Sequence, residues 1–230
     1  MAAATGSLQA GLLRDDESLA DGDAAAPALT SRAWWRAVHA GGFALGGTTF
    51  IAGTLCLTAV CSATWCALLS AVLYIAGSAG FLLVDLLETV AFARAPAALR
   101  VNILLSAAGS TLYVIGSAGF LPWVMAHAPG GAALGLAGFI AGSALIAASQ
   151  AWKVARVLAA RRASAAADTL TACGVEGGAG VGAALFLAGT ALDAAGGALA
   201  PVLGMWLAGS FAFTLGAACL LARHYVLGIA

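Results

Sequence analysis

The side chains in this sequence that could do chemistry are few, and they sit in or beside long apolar stretches. Asp193 is four residues beyond Gly189 in such a stretch. An ionisable group within a membrane-spanning segment marks a functional site by default, and a carboxyl there could bind a cation or relay a proton. The alternative is that Asp193 reaches an interface and is hydrated. Asp85 and Glu88 close another apolar stretch. Their expected partners are Arg94 or Arg100, and a gate or vestibule is the competing reading. Asn102, Ser106 and Ser110 are spaced by four and form one polar stripe of a helix, roughly continued by Ser117. Such a stripe either hydrogen-bonds between helices or lines a narrow polar path.

Other chemistries lack their residues. His39, His127 and His224 are dispersed in sequence, no metal-ligand spacing occurs, and no metal site or cofactor is expected. The glycines from Gly174 to Gly182 lack the Lys-Ser/Thr ending of a phosphate loop. No nucleophile has a readable base, and no basic patch suits nucleic acid. The expectation is a protein that is not an enzyme, with no catalytic residue.

These residues are carried on stretches marked by one recurring phrase: an aromatic, a branched aliphatic, Ala or Ile, Gly, then Ser or Thr. Its copies are Phe50-Ile51-Ala52-Gly53-Thr54, Tyr74-Ile75-Ala76-Gly77-Ser78, Tyr113-Val114-Ile115-Gly116-Ser117, Phe139-Ile140-Ala141-Gly142-Ser143, Phe186-Leu187-Ala188-Gly189-Thr190 and Trp206-Leu207-Ala208-Gly209-Ser210. Taken in pairs, the Gly positions are 24, 26 and 20 residues apart, which predicts a two-helix hairpin used three times. The Gly and Ser/Thr positions fall near mid-span, where antiparallel helices meet at the same depth. Small residues there let membrane helices approach closely. Gly46, Gly109, Gly135 and Gly182 lie seven residues before four of the phrase glycines and extend the same face. Packing is the expected role of the phrase; lining a path is the other.

Composition names the solvent. The chain is 62% hydrophobic and 9% charged, with a mean hydropathy of +0.99. Soluble domains carry about 25% charged residues, so this surface must face lipid. Six windows reach the roughly 20 apolar residues of a spanning helix: 41–60, 67–87, 101–121, 131–151, 179–198 and 201–222. No basic residue falls within them. All ten Lys and Arg residues lie on one side, from Arg14, Arg32 and Arg36 through Lys153 to Arg223. The positive-inside rule places that side, with both termini, in the cytoplasm. No cleavable signal peptide is visible. Cys61 and Cys66 lie on the other side, either as a disulfide in an oxidising compartment or as two small free side chains.

The expected divisions are a disordered cytoplasmic tail at 1–33, hairpins at 34–95, 96–160 and 179–230, and a cytoplasmic linker at 161–178. Trp34, Trp35 and Arg36 mark an interface, and 122–130 reads as a tight outer turn.

The two-helix unit with its aromatic-x-x-Gly-Ser phrases resembles the YrhK-like membrane domain. The middle hairpin carries the match: Asn102, Gly109, Leu112-Tyr113-Val114-Ile115-Gly116-Ser117, Phe120-Leu121-Pro122, then Gly138-Phe139-Ile140-Ala141-Gly142-Ser143. The first hairpin lacks the Pro, and the third has Asp193 where a hydrophobe is expected. The resemblance implies an integral membrane protein and no particular reaction, cofactor or catalytic residue.

The expectation is an all-α membrane bundle of three tandem hairpins, preferably arranged around an axis. Its leading function is non-enzymatic packing, scaffolding or interaction, with the lipid bilayer, a second copy or other membrane proteins as partners and no nucleic acid. The alternative is a channel or transporter for a small solute or ion, using midplane polar groups and Asp193.

Overall fold

The computed structural model describes residues 29–58, 64–160 and 166–229. Most of the expected tail, and Cys61, lie outside them. The described chain is helical: α1 (Ala33–Cys56), α2 (Thr64–Ala91), α3 (Ala97–Gly119), a short α4 (Pro122–His127), α5 (Gly131–Ala160), α6 (Ala166–Ala194) and α7 (Leu199–Leu221), followed by a π-helical turn, Ala222–Val226. No strand occurs among the described residues. Five helices, α2, α3, α5, α6 and α7, are long and apolar enough to cross a membrane. Helix α1 is not among them, because Gly41, Gly42, Gly46, Gly47, Thr48 and Thr49 dilute its apolar content.

The helix ends follow from their sequence. Pro96 caps α3 and Pro122 opens α4, where its missing N–H is no loss. Gly196 ends α6 at φ 74°, a conformation that strains any residue with a Cβ. Its N–H donates to the Asp193 carbonyl at 2.9 Å and that of Gly197 to Leu192 at 2.9 Å. This Schellman cap lets α7 begin at Leu199.

Each long helix packs against its neighbours in the chain, and α7 returns to pack on α1. The result is a closed ring of six helices around an axis. Leu45, Leu69, Leu86, Leu104, Leu134, Val181 and Leu215 are exposed on its outside. So many exposed large aliphatic side chains on every long helix are unlike the surface of a soluble bundle and point to an integral membrane protein.

Glycine sets the closeness of the ring. Within each hairpin, each phrase Gly seats the aromatic of the facing phrase. A Cβ on Gly53 would lie 3.1 Å from Tyr74, on Gly77 2.6 Å from Phe50, and on Gly142 2.7 Å from Tyr113. The same holds for Gly116 with Phe139 at 3.0 Å, Gly189 with Trp206 at 2.9 Å, and Gly209 with Phe186 at 2.8 Å. One layer further, Gly46, Gly135 and Gly182 seat Phe81, Phe120 and Phe213, while Gly109 seats Ile146. The ring closes where Gly47 meets the backbone of Thr214, 2.7 Å from where a Cβ would stand.

Three features differ from the sequence reading. Helix α5 runs to Ala160 and α6 starts at Ala166, so most of the expected linker 161–178 is helix. Ala, Lys and Arg are good helix formers, and they continue the helix past the end of the apolar window. The outer connection at 122–130 contains α4 rather than a bare turn. Trp34 is exposed but Trp35 is fully buried, so the two tryptophans are not one interfacial pair.

Candidate functional site

Six aromatic rings of the phrases meet near mid-depth. Phe50 lies 5.2 Å from Phe186, 4.8 Å from Tyr74 and 6.0 Å from Tyr113, while Tyr113 lies 4.9 Å from Phe139. Trp206 stacks on Phe186 at 6.5 Å. In each hairpin one ring carries a polar atom, and it pairs with the phrase hydroxyl of the facing helix. Tyr74 pairs with Thr54, Tyr113 with Ser143 at 2.7 Å, and Trp206 Nε1 donates to Thr190 at 3.1 Å. The other hydroxyls are also occupied: Ser78 and Ser117 bond at 3.2 Å, and Ser210 donates to the Trp206 carbonyl. The rings form a septum across the axis.

Two cavities flank it. Away from the basic end, an apolar one of about 210 Å³ is lined by Tyr74, Phe120, Met125, Phe139, Phe186 and Trp206 among others. Towards the basic end, a smaller one of about 40 Å³ draws lining residues from all six long helices. This volume holds only a water or a ligand of few atoms. Its polar wall is His39 from α1, Asp85 and Glu88 from α2, Ser106 and Ser110 from α3, Gln150 and Lys153 from α5, and Glu176 from α6.

Lys153 joins the three hairpins. Its Nζ lies 3.1 Å from Glu88 Oε2 and 3.6 Å from Glu176 Oε2. Glu88 Oε1 lies 3.3 Å from His39 Nε2. Ser110 donates to Asp85 Oδ2. Gln150 Oε1 is buried without a hydrogen-bond partner among the described residues. Three carboxyls thus face one ammonium and one imidazole, and even with His39 protonated one negative charge would be left unbalanced. Removing charges from water costs several kcal/mol per ion even after relaxation. The chamber must therefore be balanced by protons or by a bound positive species. No group of three His, Cys, Asp or Glu among the described residues has metal-binding geometry.

Several expectations are corrected here. Arg100, Lys153 and Arg156 lie within α3 and α5, which run beyond the apolar windows that hold no basic residue. Glu88 pairs with Lys153 and His39, and Asp85 with Ser110, rather than with Arg94 or Arg100. His39 and His224, dispersed in sequence, stand 3.3 Å apart, because closure of the ring brings α7 onto α1. Arg223 is buried against Asp168 at 2.7 Å. The Asn102 stripe is split. Asn102 Nδ2 donates to the Ser149 carbonyl at 3.0 Å, a bond between α3 and α5, while Ser106 and Ser110 face the chamber. Asp193 is half-buried in the last turn of α6, roughly 25 Å along the helix from Glu176 at 1.5 Å per residue, and does not line the chamber. Cys66 is buried and disulfide-bonded.

One sequence signal marks Gln150 and Lys153, which the sequence reading did not single out. Eight residues after the second phrase Gly of each hairpin stand Asp85, Gln150 and Ala217; eleven after it stand Glu88, Lys153 and Leu220. The hairpins agree at mid-depth and diverge at these two positions.

Comparison with protein-family models, with curated proteins and with solved structures returns no match.

Proposed function

We propose that this chain is a six-span membrane protein of three tandem hairpins, with both termini cytoplasmic, that carries a small cationic or donor-bearing solute through the axial chamber. The observation behind this reading is the convergence of Asp85, Glu88 and Glu176 on a single Lys153, beside the unpartnered Gln150 Oε1. A protein built only to pack has no use for such a chamber, since replacing buried ion pairs with well-packed apolar groups is often neutral or stabilising. Intramembrane ionisable residues that face a bundle interior mark solute or ion pathways. Counting α1 as a span is supported by its hydroxyls: Thr48 and Thr49 donate to their own helix at 2.8 and 2.7 Å, which satisfies them in lipid. The YrhK-like resemblance fits this architecture and adds no reaction.

A second reading, non-enzymatic packing or interaction, is favoured by the septum, which leaves no open path along the axis. Flux separates the two. Full-length protein in liposomes is loaded with labelled methylammonium as probe. Transport predicts uptake above empty vesicles. Glu88→Gln should lower it about tenfold or more, as losing one charge-assisted hydrogen bond of about 1.5–3 kcal/mol implies. Asp193→Asn should leave it unchanged. Equal uptake in empty, parent and Glu88→Gln vesicles would leave packing as the function.

A further inference from the structure

A chain of hydrogen bonds leaves the chamber towards the basic end. Glu88 Oε1 meets His39 Nε2 at 3.3 Å, His39 Nδ1 meets His224 Nε2 at 3.3 Å, and His224 Nδ1 meets the Ile229 carbonyl at 2.9 Å. Both rings are buried. Trp35 stacks on His39 at 4.3 Å and 19°, which holds that ring in line.

The hydrogens can be placed by elimination. A carbonyl only accepts, so His224 Nδ1 carries hydrogen. In the neutral ring Nε2 is then an acceptor, and His39 Nδ1 must donate to it. One further proton lies between His39 Nε2 and Glu88. It makes either an imidazolium beside a carboxylate or a neutral ring beside a carboxylic acid. In the carboxylic-acid form every donor in the chain points the same way, as stepwise proton transfer requires.

The far end of the chain is covered by a fold of the tail. Leu227 N–H donates to the Ala222 carbonyl at 2.9 Å, and Ile229 N–H to Arg223 at 2.8 Å. Gly228 makes this possible at φ 66°, a conformation that a β-branched residue adopts only under strain. The π-helical turn beneath it, Ala222–Val226, carries His224. Such turns are frequent at functional sites.

We propose that His39 and His224 relay protons between the axial chamber and water at the basic end, with residues 227–229 as a cover that lifts to release them. The proposal rests on the reading of the chamber as a transport site and supplies its link to the aqueous phase. A proton passes from the Glu88 carboxylic acid to His39 Nε2. The Nδ1 proton of His39 passes to His224 Nε2, and the Nδ1 proton of His224 leaves to water. One proton is moved, Glu88 remains as a carboxylate beside Lys153, and only N–H and O–H bonds change. Both rings end with hydrogen on Nε2, and the same transfers run in reverse, from water to Glu88, restore the starting tautomers. The titratable and charged groups around the relay are Arg36 from α1, Asp85 and Glu88 from α2, Lys153 from α5, Glu176 from α6, and Arg223 and Tyr225 from the π-helical turn. Helix α3 contributes only the neutral Ser106 and Ser110 to this chamber wall, with Asn102 nearby.

The test uses the full chain in liposomes holding a pH-sensitive dye, with an acid step outside. Parent vesicles should acidify faster than empty ones. His39→Leu and His224→Leu should each slow this by about a hundredfold, the lower end of what a positioned proton-transfer group contributes. Gly228→Val, which strains the cover and leaves both rings in place, should speed it. Nitrogen-15 histidine spectra of the parent provide a reading that needs no variant: His224 is expected as the neutral Nδ1–H tautomer. A His224 Nε2–H tautomer, no proton flux in the parent, or unchanged flux in both leucine variants would overturn the relay. Methylammonium uptake in the same vesicles keeps the two ideas apart. Proton flux with the expected tautomer but no uptake removes the transport reading and leaves the relay. Uptake without histidine-dependent proton flux does the reverse.

Discussion

At mid-depth, each of the six phrases seats a ring over a facing glycine, and every phrase hydroxyl is satisfied within the bundle. Two to three turns nearer the basic end, corresponding positions of the three hairpins hold Asp85, Gln150 and Ala217, then Glu88, Lys153 and Leu220. The first region is nearly the same three times over; the second is different each time. Uniform contacts suit a structural task, because a ring needs a similar seam at each hairpin. A chamber on the axis gains nothing from threefold sameness. Three carboxylates at one level would repel, whereas Glu88 set against Lys153 attract. The comparison separates the residues that make the ring from those that give it chemistry.

The largest expected break in this comparison comes from Lys153→Met. It leaves Glu88 and Glu176 buried without their cation and should lower stability by about 3–5 kcal/mol, read from unfolding in detergent micelles. Adding Glu88→Gln to that variant should recover part of the loss, since one uncompensated charge goes with it. A loss under about 1 kcal/mol for Lys153→Met would mean that the chamber is wet enough to do without the pair.

The mid-depth region should respond to volume rather than charge. A Cβ on Gly77 would meet Thr49 and Phe50, whereas one on Gly204 meets nothing within 4 Å. Gly77→Ala should therefore cost about 1–3 kcal/mol through overpacking, and Gly204→Ala should cost nothing measurable in the same assay. Equal effects from the two would remove the distinction between seated and open glycines.

The smallest effect belongs to the ring hydroxyls. Tyr113→Phe keeps the ring over Gly142 and loses only the bond to Ser143. It should cost about 0.6 kcal/mol, the average for hydrogen bonds between membrane helices. A double-mutant cycle with Ser143→Ala checks that the loss belongs to this pair; a coupling near zero would show that the hydroxyl finds another partner.

The helical class, the apolar exterior and the phrase glycines were legible in the sequence, because each is a local property of composition or spacing. The chamber was not. Lys153 and Glu176 stand outside the apolar windows, and hydropathy reads such residues as loop, although Ala-rich flanks keep both within helices. His39 and His224 are 185 residues apart and meet only through closure of the ring, which no local pattern reveals. Asp193 drew notice because it interrupts an apolar stretch, yet its backbone carbonyl closes the cap at the end of α6. The informative signal was the divergence between aligned hairpins, not the phrase they share.

The seam between α1 and α7 has a consequence for biogenesis. Its two sides are 185 residues apart at His39 and His224, and at about 5–20 residues per second they emerge from the ribosome roughly ten seconds or more apart. Through that interval α1 presents Gly47 and His39 to whatever surrounds it, and Glu88 waits for Lys153. The nascent chain must therefore pass through an open, charge-bearing crescent. During that window an insertion factor, a chaperone or another nascent copy can reach the axis that the finished ring seals off.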